Sequence, residues 1–436
     1  MPRTPLIPVL ILFLTTLFPR PVTAQSGSDE DQLEGLPVRG LVVSGLQRLD
    51  EDVVRRRLEL KVGGPWRRAT ARRDEHAVAA LALFWSVRIR PEPVGGPGRP
   101  DGVMVHVELE ERFTWFGFPQ IAWTPEEGWS YGIAGGHLNV AGRGHRLLTT
   151  LMTGGTRYLS LSLSNPWSGP GHEHFHLGGA LQQAENRLYD FEETGERLNA
   201  EWGRWLGRTG RLGLGVGYRR VRSDRPGITV GSDDEDLMHS AWFNLGFDTA
   251  DPWSWPRLGT AGGLRVEGSG GLLGGEVTDR TVSLRLDTRQ ALSPRWVLAG
   301  LVSSDRRTGP IPIWHLLALG GPFSVRGYPL GHYLVTERQE ASLELRWYLS
   351  PLQARPIPGM GTPILGISLA LFGDLGRGDG IRRDPGGGLA SGPTPTLSSW
   401  GLTLVFHSAD LGGLGLEYAR PDGAPSRWLL RLGTRF

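Results

Sequence analysis

From Phe113 to the end of the chain, apolar and polar residues alternate in one short run after another. Val282, Leu284 and Leu286 interleave with Ser283, Arg285 and Asp287; Leu212, Leu214, Val216 and Tyr218 interleave with Gly213, Gly215, Gly217 and Arg219. A period of two is that of a strand with one apolar and one polar face. Such runs start near Phe113, Gly128, Gly144, Arg157, Glu173, Glu196, Arg211, Leu237, Gly262, Asp279, Arg295, Gln339, Pro363, Ser398, Gly412 and Ser426, with the weakest alternation at Gly144 and Arg295. The pattern predicts a transmembrane β-barrel of about 16 antiparallel strands over 113–436. An arginine facing mid-bilayer costs roughly 2–4 kcal/mol, so Arg219, Arg285 and Asp287 are expected to face the lumen. Connections after even strands are short, as at Asn139–Arg143, Asn165–Gly171, Leu206–Gly210 and Ala291–Pro294, although Thr249–Ala261 and Ser350–Thr362 are longer. The long ones, Arg222–Asp236, Arg307–Arg338 and Leu375–Leu397, follow odd strands and belong on the outer side.

A different period precedes the strands. Val38–Val43 is a short β run, and Asp50 opens a helical pattern with Val53, Val54 and Leu58 on one face. Gly63-Gly64-Pro65 breaks it, and Ala69–Phe84 reads as a second helix carrying Ala77, Val78, Leu81 and Phe84. Strands Ser86–Pro91 and Val103–Glu110 follow. The order β-α-α-β-β predicts a small α+β domain over 37–112, and Gln25–Leu36, polar and acidic, is expected to be flexible.

Composition agrees with a membrane wall. Glycine, 64 of 436 residues, is at roughly twice its ordinary usage. The 16 tryptophans suit aromatic girdles. Lys+Arg 47 against Asp+Glu 45 leaves +2 and no argument for a nucleic-acid partner. Cysteine is absent, which excludes disulfides, thiol catalysis and cysteine-ligated metals. Arg3, the apolar run Leu6–Phe18 and the small residues Val22-Thr23-Ala24 read as a signal peptide over 1–24, the alternative being a short membrane anchor.

The longest connection holds Gly320-Gly321-Pro322-Phe323-Ser324-Val325-Arg326-Gly327-Tyr328-Pro329-Leu330-Gly331. A connection of that length without structure of its own is usually functional, and Arg326 presents a fork that suits a carboxylate. The next two strands offer partners. Leu343, Leu345, Trp347 and Leu349 take the lipid face, turning Glu344 and Arg346 inward. Ile367, Leu369 and Leu371 do the same, turning Ser368, Ala370, Phe372 and Asp374 inward. A loop folded into the lumen could dock Arg326 on Asp374 or Glu344, whereas a solvated surface arginine is the alternative.

Val325-Arg326-Gly327-Tyr328 resembles the V-R-G-[YF] loop tip of the Omp85 superfamily, and Phe372-Gly373-Asp374-Leu375-Gly376 resembles its F-x-D-x-G strand motif. SLELRWYL is similar to the strand with the inward glutamate, and GFDTADPWSWPRLGTAGGLRV to the D-[ST]-x-D-x-x-x-P-x-x-G stretch. VSGLQRLDEDVVRRRL, LALFWSVRI and GVMVHVELEE resemble a single POTRA domain, the periplasmic α+β module of that family. The resemblance implies a 16-stranded barrel with a loop latch. Val325, Arg326, Gly327 and Tyr328 would form the latch, and Asp374, Glu344, Phe372 and Gly376 would receive it. It implies no catalytic residue, cofactor or metal. The implied role is insertion, assembly or translocation of unfolded outer-membrane or secreted client proteins at the outer membrane, in contact with its lipid. A periplasmic chaperone or accessory lipoprotein is a further possible partner. A dedicated two-partner secretion pore and a passive channel or surface receptor are the alternatives.

Pro119 in the first strand cannot donate to a ladder, and Gly433 weakens the last. Phe118, Pro119, Gly433 and terminal Phe436 are therefore candidates for a lateral seam, with a local bulge as the rival reading. An alternating last strand ending in phenylalanine resembles an outer-membrane targeting signal. His172, His174 and His176 share one strand parity, which suits a metal or, more simply, a polar lumen rim. Asp233–Asp236 reads as a solvated acidic loop with weak Ca²⁺ affinity as the alternative. No G-x-S-x-G, H-E-x-x-H or phosphate-loop pattern occurs.

Overall fold

The computed structural model describes residues 30–96, 99–124, 128–168, 172–186, 191–207, 209–250, 257–354, 364–384, 388–408 and 412–432. The expected signal peptide lies outside them. The described residues divide into two compact units. One comprises the residues through Ser44 with Glu59–Glu75 and Arg88–Glu108; the other comprises Gly45–Leu58, His76–Val87 and the residues from Leu109 onward.

The N-terminal elements are β1 (Val38–Ser44), α1 (Glu51–Arg55), α2 (Arg68–Ala79), β2 (Phe84–Gly96) and β3 (Arg99–Glu111). The strands form one sheet in the order β1-β3-β2, with β1 parallel to β3 from Val38↔Val103 to Ser44↔Glu108. Alternation explains the register: Val103, Val105 and Val107 are fully buried on one face of β3. Asp50 caps α1 by accepting from Asp52 N at 3.1 Å. Asp74 is buried because its carboxylate accepts from Glu59 N and Leu60 N, both at 2.9 Å. Two expectations change. α2 ends at Ala79 rather than Phe84, because Ala82 takes a left-handed φ of 57° and turns Phe84 into a strand. The segment read as flexible is ordered from Glu30: Glu30–Leu33 is a 3₁₀ turn, Leu33 is buried, and Trp66 N donates to Leu36 O at 2.7 Å.

The remaining strands are β4 (Trp115–Thr124), β5 (Gly128–Val140), β6 (His145–Gly154), β7 (Thr156–Ser168), β8 (Glu173–Asn186), β9 (Phe191–Leu206) and β10 (Gly210–Ser223). Then come β11 (Glu235–Asp248), β12 (Gly259–Ser269), β13 (Arg280–Ala291), β14 (Trp296–Thr308), β15 (Leu317–Leu319) and β16 (Tyr333–Ala354). The last are β17 (Ile364–Arg383), β18 (Leu389–Ser391), β19 (Leu397–Ser408), β20 (Gly412–Pro421) and β21 (Arg427–Leu432). Each pairs with its neighbour in sequence and β21 returns to β4, so the sheet is a large closed barrel. Among the described residues its registered strand pairs are all antiparallel, and β15 and β18 are short strands beside the direct pairings β14–β16 and β17–β19.

The two faces follow the period of two. On β13, Val282, Leu284 and Leu286 stand 40–51% exposed on the outside, while Asp287 and Arg289 are buried within. Trp296 and Trp347 stack at 5.7 Å on the outer face. On β10 the inward glycines leave room for a neighbour: the Trp242 ring rests against Gly215, donates from Nε1 to Glu201 at 2.8 Å and lies 4.2 Å under Arg265. None of the described helices is long and apolar enough to cross a membrane, which bears on helices only.

The connection from β14 to β16, expected to lack structure, contains a 3₁₀ turn at Ile313–His315 and the strand β15, which pairs with β16 from Leu317↔Val335 to Leu319↔Tyr333. Its first part packs into an apolar cluster with Phe191, Val221, Ile228, Met238, Val277 and Leu334 through Trp314 and Leu316. Asp236 is not solvated: it is fully buried and accepts from Val230 N, Gly231 N and Trp314 Nε1. Val230 N and Gly231 N sit at the turn preceding β11, so the acidic run includes a structural anchor for the loop. β17 also runs further than expected, into the connection after Leu375.

Candidate functional site

The site is built by the second half of that same connection. Its backbone folds on itself: Ser324 N donates to Gly321 O, Gly320 N to Ser324 Oγ and Gly331 N to Gly320 O. Val325 then enters an apolar cluster with Leu317, Leu319, Tyr328, Val335 and Leu397. It packs over Gly376, where a Cβ would stand 2.5 Å from Val325 Cγ2. Gly327 has a φ of 89°, and a Cβ there would meet Pro421 Cδ at 2.8 Å. Backbone angle and close approach both require glycine at that position. Tyr328 finishes the turn, its hydroxyl donating to Asp422 O at 2.7 Å.

This course delivers Arg326 to the inner wall, with no exposed surface. Its Nε and Nη2 donate to the two oxygens of Asp374 at 2.7 and 2.8 Å, and its backbone N adds a third bond to Asp374 at 3.1 Å. Nη1 donates to Glu344 Oε1 at 2.8 Å and Nη2 to Ser342 Oγ at 3.2 Å. The guanidinium lies 3.5 Å from the centre of the Phe372 ring. The fork therefore meets a carboxylate two-fold, which matches arginine and not lysine. Burial opposes its charge, but the Asp374 hydrogen bonds and the charges of Glu344, Asp374 and Glu417 outweigh that and hold its pKa above the ordinary arginine value.

Asp374 and Glu344 thus both touch Arg326, where the sequence left a choice between them. Alternation had turned Arg346 inward as well, but had not singled out Ser342, Ser324, Glu340 or Glu417. Ser342 Oγ donates to Asp374 at 2.6 Å, and Ser324 Oγ donates to Glu340. Arg346 Nε donates to the other oxygen of Glu344 at 2.9 Å. Glu417 on β20, fully buried, lies 3.8 Å from Arg326 and accepts from Arg431 on β21 at 2.7 Å. Glu417 is the only charged residue in the run Gly412–Ala419, a signal that was available but not tied to the loop.

At the barrel closure, β20 and β21 are registered from Leu414↔Leu432 to Ala419↔Arg427. Among the described residues, β21 and β4 are registered at Leu430↔Trp123 alone. Phe118 faces the lumen, opposite Ala134 and stacked on Phe116 at 6.2 Å. Pro119 is exposed, and the ladder from β4 to β5 runs through it without a shift, from Trp115↔His137 to Thr124↔Gly128. A proline permits that only if its nitrogen points to the strand's other edge. The missing donor therefore faces away from β5, and no bulge interrupts the β4–β5 ladder at Pro119. Gly433 and Phe436 lie outside the described residues.

The three histidines do not form one face. His172 precedes β8 with a left-handed φ of 57°, leaving His174 and His176 on the strand. His174 Nε2 stands 3.6 Å from Glu201. Among the described residues, no group of three or more acids or histidines is placed to hold a metal ion.

A closed antiparallel barrel with a loop arginine seated on acids of its inner wall defines a class. The pattern of the Omp85 superfamily domain matches residues 139–436, and the chain belongs to that superfamily. Solved structures with the same fold include BamA from Haemophilus ducreyi lacking POTRA domains 1–3, at 14% identity over 91% of this chain and 83% of that one, with a TM-score of 0.59. CdiB from Acinetobacter baumannii is 13% identical over 91% of this chain and 73% of that chain, TM-score 0.57. CdiB from Escherichia coli is 13% identical over 94% and 92%, TM-score 0.55. Comparison with curated proteins gave no match.

Proposed function

We propose that this chain is an outer-membrane factor that inserts, assembles or translocates client proteins without chemical catalysis. Members of its superfamily work in outer-membrane protein assembly or secretion, as transport and assembly factors rather than enzymes. In this reading residues 37–112 are a POTRA-like module in the periplasm, and 113–436 cross the membrane as sixteen strands, with β15 and β18 as additions beyond the wall. The β14–β16 loop then belongs to the outer side.

Arg326 acts as the latch that keeps this loop in the lumen, with Asp374 and Glu344 as its receivers. The observation that supports the reading is the closure of β21 on β4, registered among the described residues at Leu430↔Trp123, with Pro119 further along β4 lacking a donor. A seam that a proline deprives of a ladder donor opens more easily there and offers strand edges to an unfolded client, by the physics of strand addition. The chain has no cysteine, so Trp123→Cys with Leu430→Cys makes a clean reporter. Oxidation of the pair is expected to stop client assembly in reconstituted vesicles, and reduction to restore it. Full client assembly by the oxidised protein refutes the gate, and conductance independent of any client supports a passive channel instead.

A further inference from the structure

The strand that closes the barrel meets the seated loop at the Glu417 carboxylate, and the loop's Phe323 ring also lies 5.6 Å from the Arg431 guanidinium. Arg431 follows Leu430, the residue registered with Trp123, and its side chain turns into the lumen and is buried. Its Nε and Nη2 donate to Glu417 Oε1 at 3.1 and 2.7 Å. That same oxygen accepts from Thr403 Oγ1 at 3.4 Å and lies 3.8 Å from Arg326 Nη1. Two guanidiniums, one from the loop and one from the last strand, therefore crowd onto one oxygen of a carboxylate with no exposed surface. The other oxygen of Glu417 has no hydrogen-bond partner among the described residues.

The sign of the coupling follows from elementary electrostatics. Each cation is attracted to Glu417 and repelled by the other, and burial leaves both effects poorly screened. Around the seat, Arg326, Arg346 and Arg431 face Asp374, Glu344 and Glu417, while Glu340 lies beside Arg338. Withdrawing Arg326 leaves the acids in excess, so Arg431 is held more firmly. Displacing Arg431 strengthens the hold on Arg326 by the same amount, since such linkage is reciprocal.

We propose that Glu417 is a positioning residue for which Arg326 and Arg431 compete, so that a seated loop loosens the last strand and a withdrawn loop clamps it. This rests on the latch-and-seam reading above and adds its direction: the latched state is the one poised to open.

Hydrogen exchange on the purified protein, with no client present, tests it. Arg326→Ala is expected to speed exchange of the loop amides but slow those of β21 several-fold. A loss of stability alone would speed both. Glu417→Gln should speed β21 exchange and abolish the effect of Arg326→Ala on it. Arg431→Gln gives an independent arm and should slow exchange in the loop. Faster or unchanged β21 exchange in Arg326→Ala overturns the proposal, as does a slowing that survives Glu417→Gln or a loop unaffected by Arg431→Gln. Exchange in β8–β10 serves as the folding control. Since no client enters the assay, its failure is distinct from failure of the client-assembly experiment.

Discussion

Removing the Arg326 side chain is the most direct perturbation of the seat. Arg326→Ala leaves Asp374, Glu344 and Glu417 in place, 0–5% exposed at the side chain. Glu344 and Glu417 keep Arg346 and Arg431, but Asp374 loses both of its guanidinium bonds. Breaking a buried pair by deleting one partner costs about 3–5 kcal/mol, because the remaining charge stays desolvated. At about 1.4 kcal/mol per decade, that is roughly a hundred- to four-thousand-fold in the loop's docking equilibrium. The figure for replacing a whole cluster by apolar residues would be far smaller, so the single deletion is the informative variant. Hydrogen exchange over residues 317–331 reads it directly, since amides there are protected only while the loop is seated. Arg326→Lys keeps the charge and loses the fork, so its exchange should fall between alanine and the parent. A change under tenfold in Arg326→Ala would show that Val325 and Tyr328 hold the loop without the ion pairs, refuting the electrostatic account.

Two further outcomes are expected. Gly327→Ala combines a φ of 89° with a Cβ 2.8 Å from Pro421 Cδ, so it should loosen the same amides while all the charges remain; parent-like exchange would mean that the β19–β21 rim yields easily. The first part of the connection should respond to pH through His315. Burial, aided by Arg307 and Arg219, lowers its pKa despite Asp279 at 3.5 Å, whose own pKa is also lowered by its His315 and Ser269 hydrogen bonds against the effect of burial. A histidine whose folded pKa is lowered binds fewer protons folded than unfolded, so stability falls as pH drops below the ordinary value of about 6.5. Protection over 309–319, taken relative to the intrinsic exchange rate at each pH, should therefore be lower at pH 5.5 than at pH 7.5, and His315→Gln should flatten the difference; greater protection at the lower pH would reverse the sign.

Strand faces were legible because a period of two ties each position to one side of the wall. That is why Glu344, Arg346 and Asp374 could be assigned inward from their leucine neighbours alone. The helix boundary at Ala79 was not legible, since Ala80-Leu81-Ala82-Leu83 continues a helical composition and only the backbone at Ala82 departs from it. A strand as short as Leu317–Leu319 carries too few residues for a period to show. Asp236 reads as one more acid in a polar loop until Trp314, far along the chain, reaches it. Glu417 and Arg431 were missed for a related reason. Alternation gives the side on which a residue stands but not its height, and the height depends on registers summed across β17, β19 and β20.

The acids around Arg326 lie on β16, β17 and β20, and β20 is the next-to-last strand. A nascent barrel lacking its C-terminal strands would therefore offer that charge an incomplete shelter. A chain truncated before Gly412 would keep Asp374 and Glu344 but lack Glu417, and Arg326 would lose one of the three acids around it.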